Sequence, residues 1–393
     1  ELVSIAPWLD YPYQCQAEFW RLAGNDVMAA RLLRSIQYIA PSENLHRQLA
    51  TIHIAHQADT PEIDPPEYNP AISPRRVLFL IHPRAHYGLD VLFDGLCKTL
   101  GPDNTIDYPY KPSLHGGPLP EYLGHYPCAF AHPGVPYTID EIEDELKRGH
   151  FDLVLFGDSE NALDPAMLKR LFQAASDIPW FIIDAIDECY STRHAIEDLA
   201  GRPAAGYFKR EMLLGADYGP DAYPLPFAYP DDRIPPPSTA PRPRDLFWAG
   251  HRKSGLRKLY LEHLEAHFGM PLNTQFDQTA YAAAMRESRI GLNCFGFGFD
   301  TVRYWELPAH GCLLFSERPP IAIPYNFRDA ETAVFFDDLP DLDRKMRHYL
   351  AEPEETAKMA AAGYLHLTRR HSSPARARQL LAWIQERLSR PSM

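Results

Sequence analysis

Arg303 and Glu306 stand three apart at the end of an unusual segment, Asn293-Cys294-Phe295-Gly296-Phe297-Gly298-Phe299-Asp300-Thr301-Val302-Arg303-Tyr304-Trp305-Glu306. Residues three apart share one face of a helix. A guanidinium suits a diphosphate, and a carboxylate so placed can accept hydrogen bonds from both hydroxyls of a ribose. Upstream, Gly296 and Gly298 let backbone N–H groups approach a ligand closely. Asp300 or Thr301 is placed to cap a helix whose first N–H groups and positive dipole end favour an anion. Asn293 closes the strand that feeds the loop. The chemistry on offer is the cradling of a phosphate beside a ribose. Glycine spacing alone equally describes an ordinary turn before a helix bearing an Arg–Glu pair.

The elements that must position this segment alternate in type. After a proline-rich stretch at 61–74, residues 76–81 read as a buried parallel strand, 82–87 as its loop and 89–100 as a helix closed by Gly101. Strands at 105–108, 151–156 and 180–183 follow, with helices at 140–148 and 165–175. A second proline cluster at 234–243 precedes a restart, with strands at 245–249, 272–276, 290–293, 312–315 and 332–336. Helices at 254–268, 278–288 and 300–310 lie between them, and further helices run from Leu339 to the end. Such alternation builds doubly wound parallel sheets. The expected domains are therefore 75–233 and 244–375, with a terminal helix at 376–393. Ligands in such sheets sit at the carboxyl ends of strands, so the cleft between the domains is the expected site.

The first 60 residues repeat apolar residues at helical spacing, broken by Gly24-Asn25-Asp26 and Pro41. Phe19-Trp20-Arg21-Leu22-Ala23-Gly24, then Ala29-Ala30 and Leu32-Leu33, resembles a tetratricopeptide-type helical pair. One pair cannot bury its own faces, so a packed helical appendage over 1–60 is expected.

Composition narrows the class. Thirty-nine Lys plus Arg against fifty-two Asp plus Glu give a net charge of −13, which argues against a broad nucleic-acid surface but not against a small anion in a local basic pocket. Hydrophobic residues at 45% and aromatics at 12% make the chain globular. The 38 prolines, nearly twice the usual ~5% usage, fit sharply ended elements. Six scattered cysteines form no CxxC pair, so neither a zinc site nor a disulfide framework is expected. No apolar run reaches the ~20 residues of a membrane helix, and no signal-peptide pattern opens the chain. A cytoplasmic location is expected, and a start at Glu1 rather than Met suggests a missing upstream segment.

The segment 293–311, with Cys312-Leu313-Leu314-Phe315-Ser316-Glu317 after it, resembles the C-terminal domain of GT-B glycosyltransferases, closest to the group 1 set that includes CgeB-like proteins. The resemblance implies an α/β GT-B fold: two doubly wound Rossmann-like domains facing a cleft, here with an N-terminal helical appendage. It implies that Arg303 and Glu306 form the donor-nucleotide signature, the glutamate holding the ribose. Where related retaining enzymes carry a glutamate eight residues earlier, this chain has Gly298, so the stereochemical course is left open. Phe247-Trp248-Ala249-Gly250-His251-Arg252-Lys253, followed by Arg257, is similar to the strand–loop–helix that opens this domain. By that likeness Gly250 and one or more of Arg252, Lys253 and Arg257 contact the donor diphosphate.

The N-terminal domain is then expected to supply the acceptor site and, for an inverting enzyme, a general base. His86 and His82 follow the first strand, and a neutral imidazole can take a hydroxyl proton near pH 7. Asp158, with Glu160, follows the strand ending at Phe156, and Asp184, Asp187 and Glu188 follow the next. His86 and Asp158 are the expected catalytic pair. His115, His125 and His132 lack metal-ligand spacing, and Asp231-Asp232 and Asp337-Asp338 lie in turn-like contexts. The expected activity is metal-independent transfer of a sugar from a nucleoside-diphosphate sugar to a protein or glycan, with no cofactor. The expected partners are that donor and acceptor, without nucleic acid or an integral membrane segment, and with protein contact possible through the N-terminal helices. A nucleotide-sugar epimerase or hydrolase, or a non-catalytic scaffold with a degenerate cleft, are the alternatives.

Overall fold

The computed structural model describes residues 10–39, 45, 48–49, 62–118, 128–252, 256–270, 272 and 276–390. The chain divides into two compact units. One comprises Glu1–Glu62, Pro236–Pro320 and Phe327–His366; the other comprises Ile63–Pro235, Ile321–Asn326 and Leu367–Met393.

The second of these units is built on β1 (Val77–Leu80), β2 (Thr105–Tyr108), β3 (Leu153–Phe156), β4 (Trp180–Asp184), β5 (Gly206–Lys209) and β6 (Ala222–Pro224). All pair in parallel, in the order β2-β1-β3-β4-β5-β6. Val-Leu-Phe-Leu and Leu-Val-Leu-Phe are buried at every position, as central parallel strands require. The order reverses between β1 and β3, the switch point at which doubly wound sheets take ligands. β5, β6 and the helix Arg193–Ala200 were not foreseen as elements. Only Tyr207 and Phe208 give β5 an apolar signature, and β6 is a three-residue edge strand ending in Pro224.

The other unit carries β7 (Arg244–Phe247), β8 (Ser288–Asn293), β9 (Leu313–Glu317) and β10 (Val334–Phe336), all parallel in the order β10-β9-β8-β7. The strand expected at 272–276 falls largely outside the described residues, as does most of 40–61 within the expected N-terminal helical appendage. Both sheets are parallel and alternate with helices along the chain, so the fold class is α/β.

Two segments join units distant in sequence. The helices Asp10–Leu22 and Asp26–Ile39 do not cap the sheet that follows them in the chain. Tyr13, Leu32, Leu33 and Ile36 enter one core with Trp248, Tyr260, Phe336 and Leu342. Buried Arg31 fixes the placement by donating to the Arg318 carbonyl at 2.5 Å and to Asp337 at 3.2 Å. From Leu367 onward the chain leaves the expected C-terminal domain, and the helix Ser373–Ser389 packs on the helix Tyr87–Leu100. A Cβ at Gly95 would lie 2.0 Å from the Ser373 carbonyl oxygen, so only glycine permits that crossing.

Candidate functional site

The residues that end β7 and β8 gather around one indole. Trp248, directly after β7, is buried, and the guanidinium of Arg303 lies 4.5 Å from its ring centroid. That of Arg257 lies 5.2 Å from the same centroid. Two cations against one ring repel each other, and burial followed by the Arg303 charge lowers the pKa of Arg257. The Nε–H of Arg257, the Nε–H of Arg303 and the indole N–H of Trp248 are all buried with no acceptor among the described residues. Buried N–H groups are normally paired, so three unpaired donors around one ring mark a place where acceptors are missing.

Arg257 also ties two loops together. One Nη donates to the His251 carbonyl at 2.6 Å, and the other to the carbonyls of Phe295 at 2.7 Å and Cys294 at 3.1 Å. Gly250, in the first of these loops, has φ +143°, and a Cβ there would stand 2.7 Å from an Nη of Arg303. Backbone and guanidinium can approach this closely only without a side chain.

Arg303 and Glu306 project from the helix Val302–Ala309, preceded by Thr301 at the N-cap position. Glu306 is half-buried and accepts a 2.6 Å hydrogen bond from the Tyr281 hydroxyl. Burial pushes its carboxyl above the ordinary value, against that bond and the Arg303 charge. The loop before the helix is cross-braced. Asn293 donates to the Ser316 hydroxyl at 2.9 Å and accepts from that of Thr301 at 2.6 Å. Asp300 accepts from the Trp305 indole at 2.7 Å, and the Gly296 N–H donates to the Gly298 carbonyl at 3.0 Å. Glu317, at the end of β9, accepts the Phe295 N–H at 2.7 Å, and burial pushes its pKa up to about 7.

With this geometry in view, comparison with known proteins is specific. Residues 253–382 match the Glyco_trans_1_2 family model, glycosyl transferase-like. The match spans Arg257, Arg303, Glu306 and the braced loop. No curated protein matches the sequence. Among solved structures, a glycosyltransferase from Rickettsia africae ESF-5 is similar with a TM-score of 0.50 at 11% identity, over 80% of this chain and 99% of that one. HepE of Anabaena in complex with UDP-glucose gives 0.48 at 11% identity, over 79% of this chain and 99% of that one. Sucrose-phosphate synthase of Thermosynechococcus elongatus gives 0.45 at 11%, with the same coverage of 79% and 99%. The Rickettsia likeness bears on the fold.

Within the unit of the four-stranded sheet, Gly250, Arg257, Arg303 and Glu306 come together. Asn293, Asp300 and Thr301 serve the loop's shape rather than face a ligand, because their side-chain oxygens are engaged inside the protein. Arg252 is not brought to the Trp248 group. Its guanidinium bridges both oxygens of Glu265 at 2.8 and 2.6 Å and reaches the Leu272 carbonyl at 3.3 Å. Lys253 lies outside the described residues. Trp248 and Tyr281 went unassigned in sequence. Trp248 stood inside a quoted motif, whereas nothing in the chain couples Tyr281 to a glutamate 25 residues on.

The expected catalytic pair of the other unit fares differently. Asp158 is fully buried, and its two oxygens accept the N–H groups of Ala162 at 3.1 Å and Leu163 at 2.7 Å. It organises the loop after β3 and is not free to take a proton from a substrate. His86 does line a cavity, but burial, then the charges of Arg210 and Lys111, push its pKa down to about 3. An imidazole so depressed stays neutral at working pH and is a weak base. Asp158 thus braces its loop, while His86 stands in a cavity wall. Asp184 is likewise occupied by Thr192, Tyr207 and Lys209. Among the described residues, no three His, Cys, Asp or Glu side chains stand close enough to hold a metal, and no helix is long and apolar enough to cross a membrane.

Proposed function

We propose that this chain is a glycosyltransferase whose donor is a nucleoside-diphosphate sugar seated at Trp248, Arg257 and Arg303. The observation that carries this reading is the trio of unpaired buried N–H donors, two of them on guanidiniums. A diphosphate offers many acceptor oxygens and the negative charge that two adjacent cations, Arg257 and Arg303, lack. Glu306, oriented by Tyr281, would hold the ribose hydroxyls, while the backbone at Gly250, Gly296 and Gly298 approaches the phosphates. Lys253, four residues before Arg257 in sequence, would add charge.

In the transfer, the bond from the anomeric carbon to the diphosphate oxygen breaks and the diphosphate leaves with the electron pair. The acceptor oxygen bonds that carbon and its proton is lost to a base. Charge building on the leaving oxygen meets fixed guanidinium and indole donors, which supports a metal-independent reaction. Within the family the spacing of Arg303 and Glu306 supports the CgeB-like group. A protein acceptor would meet the tetratricopeptide-like N-terminal helices through exposed Phe19 and Leu22, and the reaction belongs in the cytoplasm. Thermal-shift measurements with UDP-, GDP- and dTDP-sugars in EDTA, with a monophosphate CMP-sugar as control, test the reading. One class should stabilise the wild type, and Arg303→Ala and Glu306→Ala should abolish the shift. Unchanged shifts in both variants would place the donor elsewhere.

A further inference from the structure

A cavity of about 460 Å³ opens at the carboxyl ends of β1, β3, β4 and β5, beside the switch point of the six-stranded sheet. The family match at 253–382 does not reach it. Its size lies within the range of small-molecule sites. The charge of its wall is one-sided. Glu160, Asp187 and Glu188 all line it and are exposed; Asp187 is ion-paired to Arg210, its one cation among the described residues, which also reaches Glu211 at 3.2 Å, and Glu160 stands 3.4 Å from His82 Nε2. His86 adds no positive charge, being held neutral.

Two further polar atoms of the wall, His86 Nδ1 and Ser159 Oγ, are buried with no partner among the described residues. They are fixed hydrogen-bonding groups without a ligand. Tyr190 presents a ring that is 63% exposed, a flat face on which a sugar ring or a cation can lie. Carboxylates, orphaned uncharged polar atoms and an open aromatic face together describe a hydroxylated ring with positive charge. A phosphate ester or pyrophosphate-linked sugar would meet the exposed carboxylates of Glu160 and Glu188.

We propose that this cavity is the acceptor site and that the acceptor group it takes is an amino sugar, a hydroxylated ring carrying an ammonium. Only the word acceptor rests on the glycosyltransferase reading; the preference for the amine rests on the cavity.

Ligand-observed NMR titrations of the full chain with glucosamine, glucose and glucose 6-phosphate test it, with nucleotide binding measured on the same samples. Glucosamine should bind about tenfold tighter than glucose, the worth of one charge-assisted hydrogen bond, and glucose 6-phosphate should bind weakest. Glu160→Gln and Glu188→Gln change exposed side chains and should bring the amine preference towards unity. Equal affinities, a preference for the phosphate ester, or a preference that survives both substitutions would overturn the proposal. So would the absence of sugar binding while nucleotide binding persists. Loss of nucleotide binding alone would instead refute the donor reading and leave the amine preference standing.

Discussion

Gly250→Ala separates the two demands made at one position beside the candidate donor seat. The backbone there holds φ at +143°, which an L-residue rarely adopts, and the added methyl would stand 2.7 Å from an Nη of Arg303. Strain at such a φ costs ~1–3 kcal/mol and should appear as lost stability in urea unfolding without nucleotide. The second demand falls on the guanidinium, which must swing away from the loop and from the Trp248 ring. If Arg303 holds a diphosphate, one charge-assisted hydrogen bond worth ~1.5–3 kcal/mol is lost on binding. That raises Kd for the nucleoside diphosphate roughly 10- to 150-fold. Isothermal titration reads this separately from stability. A variant that loses stability yet binds nucleotide with unchanged Kd would show that Arg303 does not touch the ligand.

Two other perturbations follow from the same contacts. Arg257→Lys should weaken nucleotide binding about tenfold and lower stability by ~1–3 kcal/mol, since an ammonium cannot serve the carbonyls of His251, Cys294 and Phe295 together; titration and urea unfolding check both. Glu317, with a folded pKa of about 7 against an ordinary 4.5, binds its proton more tightly folded than unfolded. Stability should therefore be greatest below the ordinary carboxylate range and fall as pH rises to about 7, by roughly 3 kcal/mol from this group. Glu317→Gln keeps an acceptor for the Phe295 N–H and should remove that slope, as unfolding at pH 5 and pH 8 would show. Identical slopes in variant and wild type would mean that Glu317 is not buried as described.

The sheets were legible because β1, β3 and β4 are short apolar runs between turns, and Thr105–Tyr108 falls where the alternation of elements put it. Packing across sequence distance was not legible. Nothing in the helix Asp26–Ile39 tells that Arg31 will reach the Arg318 carbonyl, so its destination could only be guessed from chain neighbours. The site divides in the same way. Arg303 and Glu306 are local, three apart on one helix, and the family resemblance gave them their roles. Arg252 matched the motif in type and position, but Glu265, on the helix Arg257–Phe268, captures it. The rule that strand-end carboxylates are candidates selected Asp158, whose oxygens are spent on loop amides. The same rule would have found Glu317, and it passed over Trp248, whose role comes from two arginines folded against it.

The central claim is that a nucleoside diphosphate sits against Trp248, and a structure of the chain bound to the best-stabilising nucleotide tests it most directly. Diphosphate oxygens within hydrogen-bond distance of the Arg303 and Arg257 Nε–H groups and the Trp248 indole N–H, with ribose hydroxyls on Glu306, are the predicted result. A nucleotide bound elsewhere, with those three donors still unpaired, would contradict it.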